Sequence, residues 1–215
     1  MNYKACLFDL DGVLVDTAIY HFQAWRALGN NFGYQLSEEQ NEQLKGVSRV
    51  ESLERILNWA GVKATQEEKE QWLVEKNTHY LELISNMNPE EVLPGVTEFL
   101  DSIQSKGYLI ALGSASKNAQ IILEKTELLK WFDAVIDGNK VVKSKPDPEV
   151  FLKGAEALGV KPEECLVFED AQAGIEAAKK GGMRAVGLGD PQVLTEADVV
   201  ISSFTGISIE MLLNK

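Results

Sequence analysis

The sequence predicts a doubly wound, Rossmann-like α/β core with a parallel sheet and an inserted all-helical domain, on three observations. From about residue 92 onward, short apolar runs alternate with helical patterns across short connections, as parallel βαβ units require. Between residues 18 and 87 nothing reads as a strand. The first apolar run, Ala5-Cys6-Leu7-Phe8, ends abruptly in carboxylates, and a later run, Leu166-Val167-Phe168, does the same. The core is expected over residues 1–14 and 92–215, and the helical cap with its hinges over 15–91.

Each element has its local reason. Ala5 to Phe8 is apolar on both faces, the pattern of a central parallel strand. From Ala18 to Phe32 apolar residues recur at helical spacing, with His21, Trp25 and Leu28 on one stripe and Asp16-Thr17 as cap. Ser37 with Gln40, and Thr65 with Glu68, fit capping boxes that start further helices, and residues 49–60 and 66–85 read as helical. Pro89 and Pro94 break the pattern and mark the return to the core. There follow helix 95–106, strand 108–113, helix 117–126, strand 134–136, helix 148–158, strand 165–169, helix 171–180, strands 184–188 and 198–201, and a closing helix at 205–213.

Of the 215 residues, 45% are hydrophobic and 25% charged, the balance of an ordinary soluble globular protein. The net charge of −12 argues against nucleic acid or an anionic membrane as partner, while an anionic small molecule remains open if basic residues gather locally. The two cysteines, Cys6 and Cys165, sit in apolar strand-like runs and read as buried thiols. No run approaches the length of a membrane span and no signal-peptide pattern opens the chain, so a cytoplasmic protein is expected.

Side chains alternate along a strand, so Asp9 and Asp11 share a side while Leu10 turns away. Two crowded carboxylates repel unless a cation or a shared proton compensates. A hard cation such as Mg²⁺, which takes oxygen ligands, answers that need. Gly12 lets the backbone turn directly after them. The carboxyl ends of parallel strands are where open α/β sheets place their sites, so three later segments are expected to converge on Asp9. Ser114-Ala115-Ser116-Lys117-Asn118 offers hydroxyls and backbone N–H groups suited to a phosphoryl group, or only a helix cap. Lys145, before Pro146-Asp147-Pro148, offers a fixed positive charge, though a lysine there is usually just solvated. Glu169 and Asp170 can complete six oxygen ligands for Mg²⁺ alongside Asp9 and Asp11, although Asp170 alone reads equally as a helix cap.

The run Asp9-Leu10-Asp11-Gly12-Val13-Leu14-Val15-Asp16-Thr17 resembles the opening motif of the haloacid dehalogenase superfamily of phosphotransferases, and the four segments occur in that superfamily's order. The resemblance implies Asp9 as nucleophile and Mg²⁺ ligand and Asp11 as general acid and base that also touches the metal through its carbonyl. It further implies that Ser114 and Lys145 hold the transferring group.

In the insert, Leu44-Lys45-Gly46-Val47-Ser48-Arg49, followed by Ser52, resembles the cap loop of the superfamily's sugar phosphomutases. So do His21 and Trp25 after Thr17, Lys76 with Asn77, and Ser114 to Asn118 in the core. By that resemblance Thr17 is a hinge residue, His21 couples cap closure to Asp11, and Lys45, Arg49 and Lys76 hold the distal phosphate. Arginine suits that task, being planar and bidentate toward phosphate. The implied reaction interconverts β-D-glucose 1-phosphate and glucose 6-phosphate through β-glucose 1,6-bisphosphate, in a monomer whose partner is a small phosphosugar. A phosphatase of the same fold and a non-catalytic phosphosugar-binding module are the rival expectations.

Overall fold

In the computed structural model, which describes residues 3–44 and 47–213, β1 (Ala5–Phe8) is buried along its whole length. It runs at the middle of a parallel sheet with β2 (Leu109–Gly113), β3 (Ala134–Ile136), β4 (Cys165–Glu169), β5 (Arg184–Leu188) and β6 (Val199–Ile201). The order is β3-β2-β1-β4-β5-β6, with every pairing parallel. The chain divides into two compact units, Met1–Asp16 with Asn88–Lys215, and Thr17–Met87. Among the described residues no helix is long and apolar enough to cross a membrane.

The second unit is helical: α1 (Ala18–Asn31), α2 (Glu38–Glu42), α3 (Arg49–Ala60) and α4 (Gln66–Ile84). Both expected capping boxes form, at Ser37 with Gln40 and at Thr65 with Glu68. The expected cap on α1 does not: Thr17 occupies the capping position, but its hydroxyl makes no cap bond. The core of this unit gathers Trp25, Leu28, Leu36, Leu44, Leu53, Ile56 and Leu57.

The sheet unit adds α5 (Val96–Ser105), α6 (Ala119–Lys125), α7 (Glu149–Leu158), α8 (Gln172–Lys180) and α9 (Ile209–Leu213). Alternation splits β1 between two layers. Ala5 and Leu7 join Ala111, Cys165, Val167 and the inner faces of α7 and α8. Phe8 stacks on its register partner Phe168 at 4.6 Å, with Phe99 and Phe204 packed against both. Ala5 is level with Cys165, so Cys6, one residue on, faces the other layer, and both cysteines are free and buried as expected.

Two helices start later than the sequence pattern suggests. Residues 114–118 bond within their own loop, Ser114 Oγ accepting from Ser116 N at 3.1 Å and Ser116 Oγ from Asn118 N at 3.3 Å, so α6 begins at Ala119. At the C-terminal end, Ile207 N donates to Phe204 O in a turn, and α9 begins only at Ile209.

Candidate active site

Register carries the site. Phe8 is level with Leu112 and with Phe168, so β1, β2 and β4 end together. One further bond, from Asp9 N to Phe168 O at 3.0 Å, keeps Asp9 in the sheet's geometry, and Ser114 N donates to Ile136 O at 2.9 Å. By alternation Asp9 and Glu169 follow Leu7 and Val167 toward the layer of α7 and α8.

Between these acids lies Lys145. Its ammonium is 2.5 Å from Asp9 Oδ1 and 2.5 Å from Glu169 Oε1, and all three side chains are nearly inaccessible to water. Lys145 comes from the loop before α7, nine residues beyond the end of β3, rather than from a strand end as the sequence pattern suggests. Burial disfavours its charge, but the attraction of Asp9 and Glu169 and the hydrogen bond it donates to each outweigh that and raise its pKa above the ordinary lysine range. Burial pushes the Glu169 carboxyl in the opposite sense to Lys145, up from the usual carboxylate range, and the charge of Asp9 adds to the rise. Two acids therefore share one lysine.

Carboxylate oxygens of Asp9, Glu169 and Asp170 lie within 4.8 Å of one another, a donor set of the kind a hard cation takes. Glu169, however, is already engaged: Oε1 accepts from Lys145 and Oε2 from Ala171 N at 2.9 Å. Asp9 has only Oδ1 on the lysine. The set fits a cation held chiefly through Asp9 and Asp170, with Glu169 anchoring Lys145. The Asp11 carboxylate lies outside the cluster. Gly12, at φ +76°, is required twice over: L side chains rarely adopt that backbone, and a Cβ there would collide with Asp170 Oδ2.

Ser114 is buried at the end of β2, and Asn118 is buried at the capping position of α6, while Ala115 and Ser116 are half-buried and Lys117 is exposed. The Lys117 carbonyl accepts from Asn139 Nδ2 at 3.0 Å, and Gly138 N donates to Ser116 O at 3.1 Å, which ties this loop to the one after β3.

In the helical unit, Lys76 is 2% exposed with its ammonium over two aromatic faces, 4.7 Å from the Trp25 centroid and 4.5 Å from that of Tyr80. Lys76 Nζ also lies 2.9 Å from His21 Nδ1. An ammonium only donates, so Nδ1 accepts and the ring proton sits on Nε2. Burial, then the charges of Lys76 and Arg49, hold the His21 pKa well below its ordinary value. Arg49 opens α3 after Ser48, whose hydroxyl caps the helix by accepting from Glu51 N at 3.3 Å. Ser52 is buried, Val47 half-buried, and Leu44 belongs to the unit's apolar core. Thr17 Oγ1 is buried with no hydrogen-bond partner among the described residues. Lys45 and Gly46 lie outside the described residues. Tyr80 was not anticipated, although its place four residues after Lys76 puts both on one helix face.

A parallel sheet that gathers one lysine and three carboxylates where its central strands end defines a doubly wound α/β protein with an acidic, lysine-bridged centre. The chain belongs to the haloacid dehalogenase-like hydrolase family, whose model matches residues 3–182. It is 42% identical to the β-phosphoglucomutase of Bacillus subtilis, over 97% of this chain and 93% of that one. A phosphorylated carbohydrates phosphatase of Thermotoga maritima is 33% identical, over 92% of each chain. The crystal structure of β-phosphoglucomutase from Clostridium difficile superposes with a TM-score of 0.95 at 40% identity, covering 98% of this chain and 96% of that one.

Proposed function

We propose that this chain is a β-phosphoglucomutase, interconverting β-D-glucose 1-phosphate and glucose 6-phosphate through β-glucose 1,6-bisphosphate. The observation that carries the reading is 42% identity to the Bacillus subtilis enzyme along nearly the whole of both chains, around a centre whose chemistry suits phosphoryl transfer. The α/β unit acts as the catalytic core and the helical unit as the cap.

Asp9 is the nucleophile. With Oδ1 held by Lys145, Oδ2 is the oxygen offered to phosphorus, and attack there makes an acyl phosphate while the sugar oxygen leaves. Lys145 keeps a fixed positive charge beside the reacting carboxylate, and Ser114 with the backbone of its loop orients the phosphoryl oxygens. Asp11 gives a proton to the departing sugar oxygen and takes one from the attacking hydroxyl. Asp9, Asp170 and the carbonyl of Asp11 are the proposed holders of Mg²⁺, which when bound neutralises charge between carboxylate and phosphoryl oxygens. Arg49 and Lys76 are the proposed cations for a sugar phosphate. That local placement reconciles a chain of net charge −12 with a dianionic substrate.

The Thermotoga relative favours one alternative, hydrolysis of a sugar phosphate. Steady-state turnover of β-D-glucose 1-phosphate with Mg²⁺ and a trace of β-glucose 1,6-bisphosphate separates the two. Accumulation of glucose 6-phosphate supports the mutase; inorganic phosphate released as fast as substrate disappears supports the phosphatase.

A further inference from the structure

Phe151 lies on α7 and is fully buried, in the layer that Asp9 and Glu169 face. Lys145 Nζ is 4.8 Å from its ring centroid. The ring also fills the space left by Gly113 at the end of β2, where an added Cβ would come within 2.7 Å of Cδ1 and 2.8 Å of Cε1. It is therefore wedged between the lysine and the strand end that leads into Ser114.

We propose that Phe151 is a positioning residue for phosphoryl transfer at Asp9, its aromatic face holding the Lys145 ammonium in place between Asp9 and Glu169. Lys145 is 3% exposed, so protein groups replace its water; two are the carboxylates and the ring supplies a third, negative face. When Asp9 Oδ2 bonds to phosphorus and the leaving oxygen departs, the carboxylate becomes a neutral acyl group in the acyl phosphate, a mixed anhydride, and its pull on the lysine weakens. The pull of the ring is unchanged. A flexible four-carbon stem is thereby kept from following Glu169 alone. The inference rests on Asp9 being the nucleophile.

The test replaces Phe151 in the full chain by 4-fluoro-, 3,5-difluoro- and 3,4,5-trifluorophenylalanine, which weaken the negative ring face at nearly constant shape. The rate of Asp9 phosphorylation by acetyl phosphate with Mg²⁺ is followed, together with Tm. The rate is expected to fall step by step, by about five- to tenfold at the trifluoro ring, with Tm unchanged. A flat series overturns the proposal. Separately, NMR of the unsubstituted protein is expected to show the Lys145 ε-methylene protons shifted upfield by the ring, a shift lost in Phe151→Leu. Ordinary shifts overturn the placement without any turnover being needed. If acetyl phosphate leaves Asp9 of the unsubstituted protein unmodified while the upfield shift is present, the nucleophile assignment fails and the contact stands.

Discussion

Lys76 Nζ donates to His21 Nδ1 across 2.9 Å, which fixes the imidazole as the neutral Nε2–H tautomer in a site where a second positive charge is unwelcome. A histidine whose folded-state pKa is depressed contributes stability that is complete above its unfolded value, about 6.5, and is lost as pH falls toward the folded value. Wild-type stability is therefore expected to fall below pH 6.5 more steeply than that of His21→Gln, by up to about 1.4 kcal/mol per pH unit. Urea unfolding between pH 5 and 8 checks this; parallel pH profiles for the two proteins would show that His21 takes up its proton freely.

Removing the shared cation should expose the cost of the acids it joins. Lys145→Met leaves two buried carboxylates without their partner, and a loss of about 3–5 kcal/mol at pH 7 is expected. Without the lysine the Glu169 pKa rises further above its unfolded value. That gain in stability is present below about pH 4.5 and disappears as pH rises through the folded value. The variant's defect should therefore shrink on acidification toward pH 5. A defect of constant size in denaturant titrations from pH 5 to 8 would contradict the shared-lysine arrangement.

Metal binding should distinguish the two adjacent acids at the end of β4. Glu169 has both oxygens engaged, whereas the Asp170 carboxylate belongs to the same donor cluster and packs against Gly12. By calorimetry, Asp170→Asn is expected to weaken Mg²⁺ binding by at least about a hundredfold. Glu169→Gln is expected to weaken it by about tenfold, as loss of a group that only orients the site does. The reverse order would make Glu169 the ligand.

Gly12→Ala offers a related check, because it alters no ligand. The strained backbone and the collision with Asp170 are expected to cost on the order of 1–3 kcal/mol of stability and to lower Mg²⁺ affinity. Thermal unfolding with and without Mg²⁺ should show a smaller metal-induced rise in Tm than in wild type. An equal rise would mean that Gly12 leaves Asp170 undisturbed.

Much of this centre was legible because strand ends announce themselves. Asp9 and Glu169 each close an apolar run, and the spacing of two between Asp9 and Asp11 is hard to explain as helix capping. What stayed hidden was pairing across sequence distance. Nothing local says that Lys145 joins residues 136 and 24 positions away, or that Glu169 serves it. Phe151 and Tyr80 hide for another reason: an aromatic on an apolar stripe looks the same whether it packs a core or carries a cation on its face. Thr17 reads as an ordinary helix cap, yet its buried hydroxyl does not cap α1. Leu44, placed in a binding loop by resemblance to the superfamily's sugar phosphomutases, turns its side chain into the helical core because a leucine there has apolar neighbours to meet.

The fate of a phosphoryl group carried on Asp9 tests the central claim most directly. The enzyme is first labelled with radioactive phosphate on Asp9 and then mixed with excess β-D-glucose 1-phosphate and Mg²⁺ in a single turnover. Mutase chemistry predicts that the label moves into glucose bisphosphate and glucose 6-phosphate, with Asp9→Asn taking up none. Label released as inorganic phosphate, with none in sugar, would contradict it.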